Sequence, residues 1–229
     1  GDGSQDVFYH DPNTLYISFH QDGRTLYPGT GFPEEAGSPG AWGTNINLPL
    51  LPGTGDEGLH RLYDGLISHI LEDFKPELII NSAGQDNHFS DPLASMAVTA
   101  QGYARLADKL QADIAVLEGG YSVESALPYV NTGIILAMAG MDYSKVLEPD
   151  LSELRKQDPR CNKRVDQLIE QVGDLYFNRE RTKKELLQKC NGVWQRKKHI
   201  YYDEEGIREQ QVETVRYCSI CDGYFTIQT

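Results

Sequence analysis

The chain has 229 residues, of which 39% are hydrophobic and 10% aromatic, enough for one large domain or a domain with an appendage. No run of 18 apolar residues occurs, so no helical membrane span is predicted. The net charge of −13 is uneven: residues 1–150 hold 6 Lys+Arg against 21 Asp+Glu, and residues 151–229 hold 15 against 13, so the first part should repel nucleic acid and attract cationic ligands.

The opening GDGSQDVFYHDP has neither a basic start nor an apolar core, so it does not read as a secretory signal. TLYISFH, 14–20, is β-rich and reads as a buried strand. PGTGFPEEAGSPGAWG, 28–43, is too rich in Gly and Pro for a helix and predicts a long ordered loop. NINLPL, 45–50, suits a short strand, and a helix is predicted near 56–74 with Asp56 as its N-cap. LIINSA, 78–83, and DIAVLE, 113–118, read as buried strands. Between them TAQGYARLADKL, 99–110, is an amphipathic helix with Thr99 near its cap, and an apolar helix is predicted at roughly 122–140. Strands alternating with helices indicate an α/β layer with a parallel sheet, whose sites sit at the carboxyl ends of its strands. Past Gly140 the pattern changes. A charged linker leads to one long polar helix over 162–190, then a β-hairpin turning at DEEG and ending in CSICDGYFTIQT.

Two stretches begin where a strand stops. SAGQDNHFSDPL, 82–93, places Asp86, His88 and Asp91 within six residues. A carboxylate at a strand end can ligate a divalent metal at about 2.0–2.2 Å, given His or carboxylate partners. On spacing alone, an Asp capping the next turn through Asx hydrogen bonds is the favoured reading. LEGGY, 117–121, follows a strand with two glycines and a tyrosine. Such a tyrosine can donate to a developing oxyanion, or simply pack beside a turn.

Together DGSQDVFYHDPNTLYISFH, YPGTGFPEEAGSPGAWGTNINLPL, SAGQDNHFSDPL and LEGGY resemble the histone deacetylase family. The likeness is closest to its bacterial and archaeal, acetylpolyamine amidohydrolase-like branch, and covers about 1–140. The resemblance implies an arginase/deacetylase-like α/β fold, a mainly parallel sheet flanked by helices, incomplete at its N-terminal side. Residues 1–145 would be the C-terminal part of the catalytic domain, and 146–229 a charged helical extension ending in a CxxC hairpin. It implies zinc-dependent hydrolysis of N-acetylated lysine or polyamine-type amines, with Asp86 as a zinc ligand and Tyr121 polarising the acyl carbonyl. Gly119 and Gly120 would make room beside Tyr121, Tyr27 and Leu93 would border the substrate tunnel, and Ser18 and Phe19 would help bind a monovalent cation such as K+. His20 and His88 are not carried over as ligands. The acidic domain suits cationic acetylated substrates.

The family's Asp-x-His-His-Gly, and the histidine pair acting as general base and acid, have no match here, since the chain begins at GDGSQ. A catalytic zinc needs about three protein ligands, so the isolated chain is expected to be inactive. It reads as a piece of a longer enzyme, as one half completed by a complementing N-terminal chain, or as an inactive product; a homo-oligomer is a further candidate partner state. A non-catalytic interaction protein with this fold is the rival reading, and a CxxC zinc-ribbon adaptor is another. Of the four cysteines, Cys218 and Cys221 form a CxxC pair that could hold a second zinc, alone or with Cys161 and Cys190, or simply stay reduced. Reduced thiols and the absent signal give a cytoplasmic expectation. No membrane or nucleic-acid partner is expected.

Overall fold

The structure is a computed structural model describing residues 2–149, 151, 154, 156–202, 205–218 and 223–229. Its elements in chain order are α1 (Asp2–Phe8), β1 (Tyr16–Gln21), β2 (Asn45–Leu50), α2 (Asp56–Leu62), α3 (Ser68–Phe74), β3 (Ile80–Ala83), α4 (Ala100–Leu110), β4 (Ile114–Leu117) and α5 (Leu127–Met138). Then come α6 (Pro159–Phe177), α7 (Arg179–Cys190), β5 (Val193–Tyr202), β6 (Ile207–Arg216) and β7 (Tyr224–Gln228). The chain divides into two units, one of residues 18–32 and 48–173, the other of residues 1–17, 33–47 and 174–229. The expected boundary at 145/146 is therefore not where the units part. Residues 146–173 stay with the strands and helices before them because Glu148, Gln157 and Cys161 find partners there: His88 for Glu148, the Gly55 N–H for Gln157 and the Pro52 carbonyl for Cys161.

In the first of these units, α2 and α3 are joined by a π-helical turn, Tyr63–Ile67, and Leu59, Leu62, Leu66, Ile67 and Ile70 bury one face. Gly55, not Asp56, caps α2. Asp56 turns its carboxylate to the start of α4, accepting from the Thr99 N–H at 2.8 Å and the Thr99 hydroxyl at 2.6 Å. Thr99 in turn caps α4 by accepting from the Gly102 N–H at 3.1 Å. Helices α4 and α5 approach closely at Gly133, where a Cβ would lie 3.0 Å from that of Ala104.

Strands β3 and β4 pair in parallel, Ile80 opposite Ile114 through Ala83 opposite Leu117. The sequence predicts both as buried, and the structure does not bear this out: Leu78, Ile80, Ile114, Val116 and Leu117 are exposed. Alternating helices on both faces of a wide parallel sheet would bury them, but among the described residues β3 and β4 form a sheet of two strands only. Strand β1 is half-buried apart from Gln21, while every residue of β2 is buried.

In the other unit, β5, β6 and β7 form an antiparallel sheet in that order. The predicted hairpin is β5–β6, with Val193 opposite Arg216, and part of its turn, Asp203 and Glu204, lies outside the described residues. β7 adds a strand the sequence reading did not assign. The predicted single helix over 162–190 breaks at Asn178, whose side-chain amide donates back to the Asp174 carbonyl at 2.8 Å. The basic run of β5 is neutralised by carboxylates: Arg196 bonds Asp6 at 3.1 Å and Glu213 at 2.8 Å, Lys198 also bonds Asp6, and the Arg196 guanidinium stacks 3.7 Å over the Tyr9 ring. The N-terminal segment and the C-terminal sheet thus belong to one unit.

Candidate functional site

Ala83 and Leu117 are register partners, so β3 and β4 stop level with one another and release their loops side by side. The Gln85 N–H donates to the Gly119 carbonyl at 2.6 Å and joins the two loops at their roots. Asp86 follows at once. Gly119 faces it so closely that a Cβ there would lie 2.9 Å from Asp86 Oδ2 and 3.5 Å from the Tyr121 hydroxyl. The carboxylate and the phenol therefore flank the same vacant point and are separated by no more than those two spans together. Gly120 has φ +149°, and a Cβ there would lie 3.0 Å from the Gln85 Cβ and 3.1 Å from Leu127 Cδ2. The positive φ calls for glycine, and the tight space beside it favours one too.

The loop after β3 is held by its own polar groups. Asp91 is buried, and its Oδ1 accepts from the Leu93 and Ala94 N–H groups at 2.9 and 3.2 Å. Its Oδ2 accepts from the Tyr121 N–H at 2.8 Å, so Asp91 fixes the backbone of both loops. His88 is wholly buried, between Glu148 Oε2 at 2.7 Å and the Ser90 hydroxyl at 2.9 Å. Asp91 and His88 are taken up in these bonds, whereas the Asp86 carboxylate faces Gly119 and is bonded by its own backbone N–H. Burial, then the charge of Asp91, push the Asp86 carboxyl above the ordinary carboxylate range. A cation beside it would relieve that cost. Among the described residues no cluster of three or more His, Cys, Asp or Glu is poised for a metal, so the residues present do not fit a complete zinc site.

Tyr27 and Leu93 are exposed on their loops. The Ser18 hydroxyl lies 2.9 Å from His20 Nδ1, with Phe19 between them in β1, and His20 Nε2 lies 3.1 Å from the Gly31 carbonyl. Cys218 is exposed, Cys221 lies outside the described residues, and Cys161 is packed in α6. Sequence reasoning did not find Glu148, Ser90 or Ser122 in the site, and it offered no role for Tyr103, a buried phenol raised well above its ordinary pKa by burial and then by Asp86. Tyr103 falls on the buried stripe of α4, which was a usable signal; Glu148 carries none.

A model of the histone deacetylase domain matches residues 1–137. A probable deacetylase of Archaeoglobus fulgidus is 52% identical over 171 residues, covering 69% of this chain and 47% of that protein. The acetoin utilization protein AcuC of Bacillus subtilis is 35% identical over 169 residues, covering 69% of this chain and 44% of its own length. The crystal structure of the HDA15 HD domain superposes with a TM-score of 0.66 at 27% identity, covering 82% of this chain and 51% of that one. The chain thus spans about half the length of the relatives it matches.

Proposed function

As the chain belongs to the histone deacetylase family, with its arginase/deacetylase-like α/β fold, we propose that it supplies one part of a zinc-dependent deacetylase acting on N-acetylated lysine or polyamine-type amines. The observation that carries this reading is the shared position of Asp86 and Tyr121 around Gly119. Asp86 is the zinc ligand this chain contributes; the remaining ligands and the histidine pair come from the rest of a deacetylase domain, in the same polypeptide or a complementing one. The apolar strands β3 and β4, exposed here, are where that remainder adds its strands. Alone, the chain is inactive.

Tyr121 donates its phenolic hydrogen to the oxygen of the acyl group as negative charge develops there, a contribution of a few kcal/mol. Gly119 and Gly120 leave room for that acyl group. Tyr27 and Leu93 border the entry, and the acidic surface draws cationic amines toward it. Ser18 and Phe19 serve a structural K+. On this reading its site of action is the cytoplasm.

The test is a chimera in which the matching part of the Archaeoglobus fulgidus relative is replaced by this chain's sequence. Turnover of an acetyl-lysine reporter with one zinc bound is expected, with zinc lost in Asp86→Ala and turnover lost in Tyr121→Phe. A folded, zinc-loaded chimera that is inert, or one in which Tyr121→Phe works as well as the parent, overturns the proposal.

A further inference from the structure

Glu148 lies beyond the segment matched by the family model, which ends at 137. It nevertheless returns to the loops that carry Asp86 and Tyr121, and it is buried there. Gln101 on α4 secures its segment, donating to the Tyr143 and Val146 carbonyls at 2.9 and 2.8 Å. The Glu148 carboxylate accepts from the Ala100 N–H at the start of α4 at 3.1 Å and contacts His88 Nε2 at 2.7 Å.

A chain of hydrogen bonds runs on from there. The Ser90 N–H donates to His88 Nδ1 at 3.2 Å, so Nδ1 is an acceptor and the ring hydrogen sits on Nε2, facing Glu148. The Ser90 hydroxyl lies 2.9 Å from the same Nδ1 and 2.7 Å from the Ser122 hydroxyl. Ser122 adjoins Tyr121. A continuous chain of hydrogen bonds running from a buried pair holds its members in place.

We propose that Glu148 and His88 are positioning residues for Tyr121: through Ser90 and Ser122 they hold the Tyr121 backbone against the loop that bears Asp86. This inference rests on the reading of Tyr121 as the oxyanion donor, and it extends the functional unit past the family segment into residues 141–148.

The experiment labels the whole chain with 3-fluorotyrosine and follows the fluorine resonance of Tyr121, identified by its loss in Tyr121→Phe. Glu148→Ala is expected to shift or broaden that resonance, and Glu148→Gln, whose amide oxygen still accepts from His88 Nε2–H, to restore it. Ser122→Ala, which removes only the last link and leaves the buried pair intact, is expected to act as Glu148→Ala does. An unmoved Tyr121 resonance in folded Glu148→Ala or in Ser122→Ala overturns the proposal; if Glu148→Ala does not fold, Ser122→Ala decides. Because this readout needs no turnover, it stands or falls apart from deacetylase activity. In an active chimera the same substitutions are expected to lower kcat by about 10- to 100-fold with KM within about twofold.

Discussion

His60 makes the stability of its unit dependent on pH in a calculable way. It sits on the buried face of α2, and its buried Nδ1 has no hydrogen-bond partner among the described residues. Burial, then Lys109 and Arg105, lower its pKa from 6.5 to about 4, with Asp64 opposing. The unfolded chain therefore takes up a proton near pH 6.5 and the folded chain does not until about pH 4. The associated stability is complete above pH 6.5, is lost as pH falls from there, and is gone below about pH 4. At ~1.4 kcal/mol per tenfold change the gap corresponds to at most about 3 kcal/mol. Solvent screening of the two cations brings the expected loss to about 2 kcal/mol. Urea unfolding followed by helical circular dichroism at steps from pH 7.5 to 4 measures it, with His60→Gln as the reference that cannot take up this proton. The parent should lose about 2 kcal/mol more than the variant across that window. Parallel curves refute the assignment of a buried, neutral imidazole.

Glu213, in the other unit, should act in a lower window. Burial alone would raise its pKa, but His10, Arg196 and Lys198 outweigh it and hold the carboxyl down to about 2 from 4.5. Its stabilisation is complete above pH 4.5 and lost as pH falls toward 2; after screening it is about 2 kcal/mol. Trp194 stands in the same sheet, so tryptophan fluorescence should report a steep loss in the parent and a flatter one in Glu213→Gln; equal losses would remove Glu213 from the account. Gly119→Ala tests the reaction space directly. Its Cβ would lie 2.9 Å from Asp86 Oδ2, so the carboxylate must retreat by a few tenths of an ångström. In the active chimera kcat/KM should fall at least about tenfold, while unfolding should change by less than about 1.5 kcal/mol. Unchanged kcat/KM would mean that the vacant point beside Gly119 is not where the acyl group sits.

What was legible in the sequence were the loops. SAGQD and LEGGY announce themselves because a strand, a glycine and a reactive side chain in succession form a local pattern. What was not legible depends on distant partners. Nothing near Glu148 says that it will meet His88, 60 residues earlier. Asp56 has the chemistry of an N-cap, but Thr99 competes for its carboxylate and wins. The apolar runs of β3 and β4 predict burial, yet burial is a property of neighbours, and among the described residues each strand has only the other. Nothing local to the basic β5 segment points to its counter-charges, because Asp6 and Glu213 lie elsewhere in the chain.

The exposure of β3 and β4 bears on how the site keeps its shape. Register is ordinarily enforced by burial, since a slip of one residue turns every apolar side chain to the wrong face. These two strands expose apolar residues, so burial within the unit enforces little. A slip would move Gly119 past Asp86 by about 3.3 Å, the rise per residue of a parallel strand. That exceeds the 2.6 Å bond from the Gln85 N–H to the Gly119 carbonyl. It would also strip Asp91 from the Tyr121 N–H and Ser90 from Ser122. The polar ties between the loops therefore do for β3 and β4 what a buried face does for other strands. The same bonds that bring the carboxylate and the phenol together also hold the pair in register, and loosening either should loosen the other.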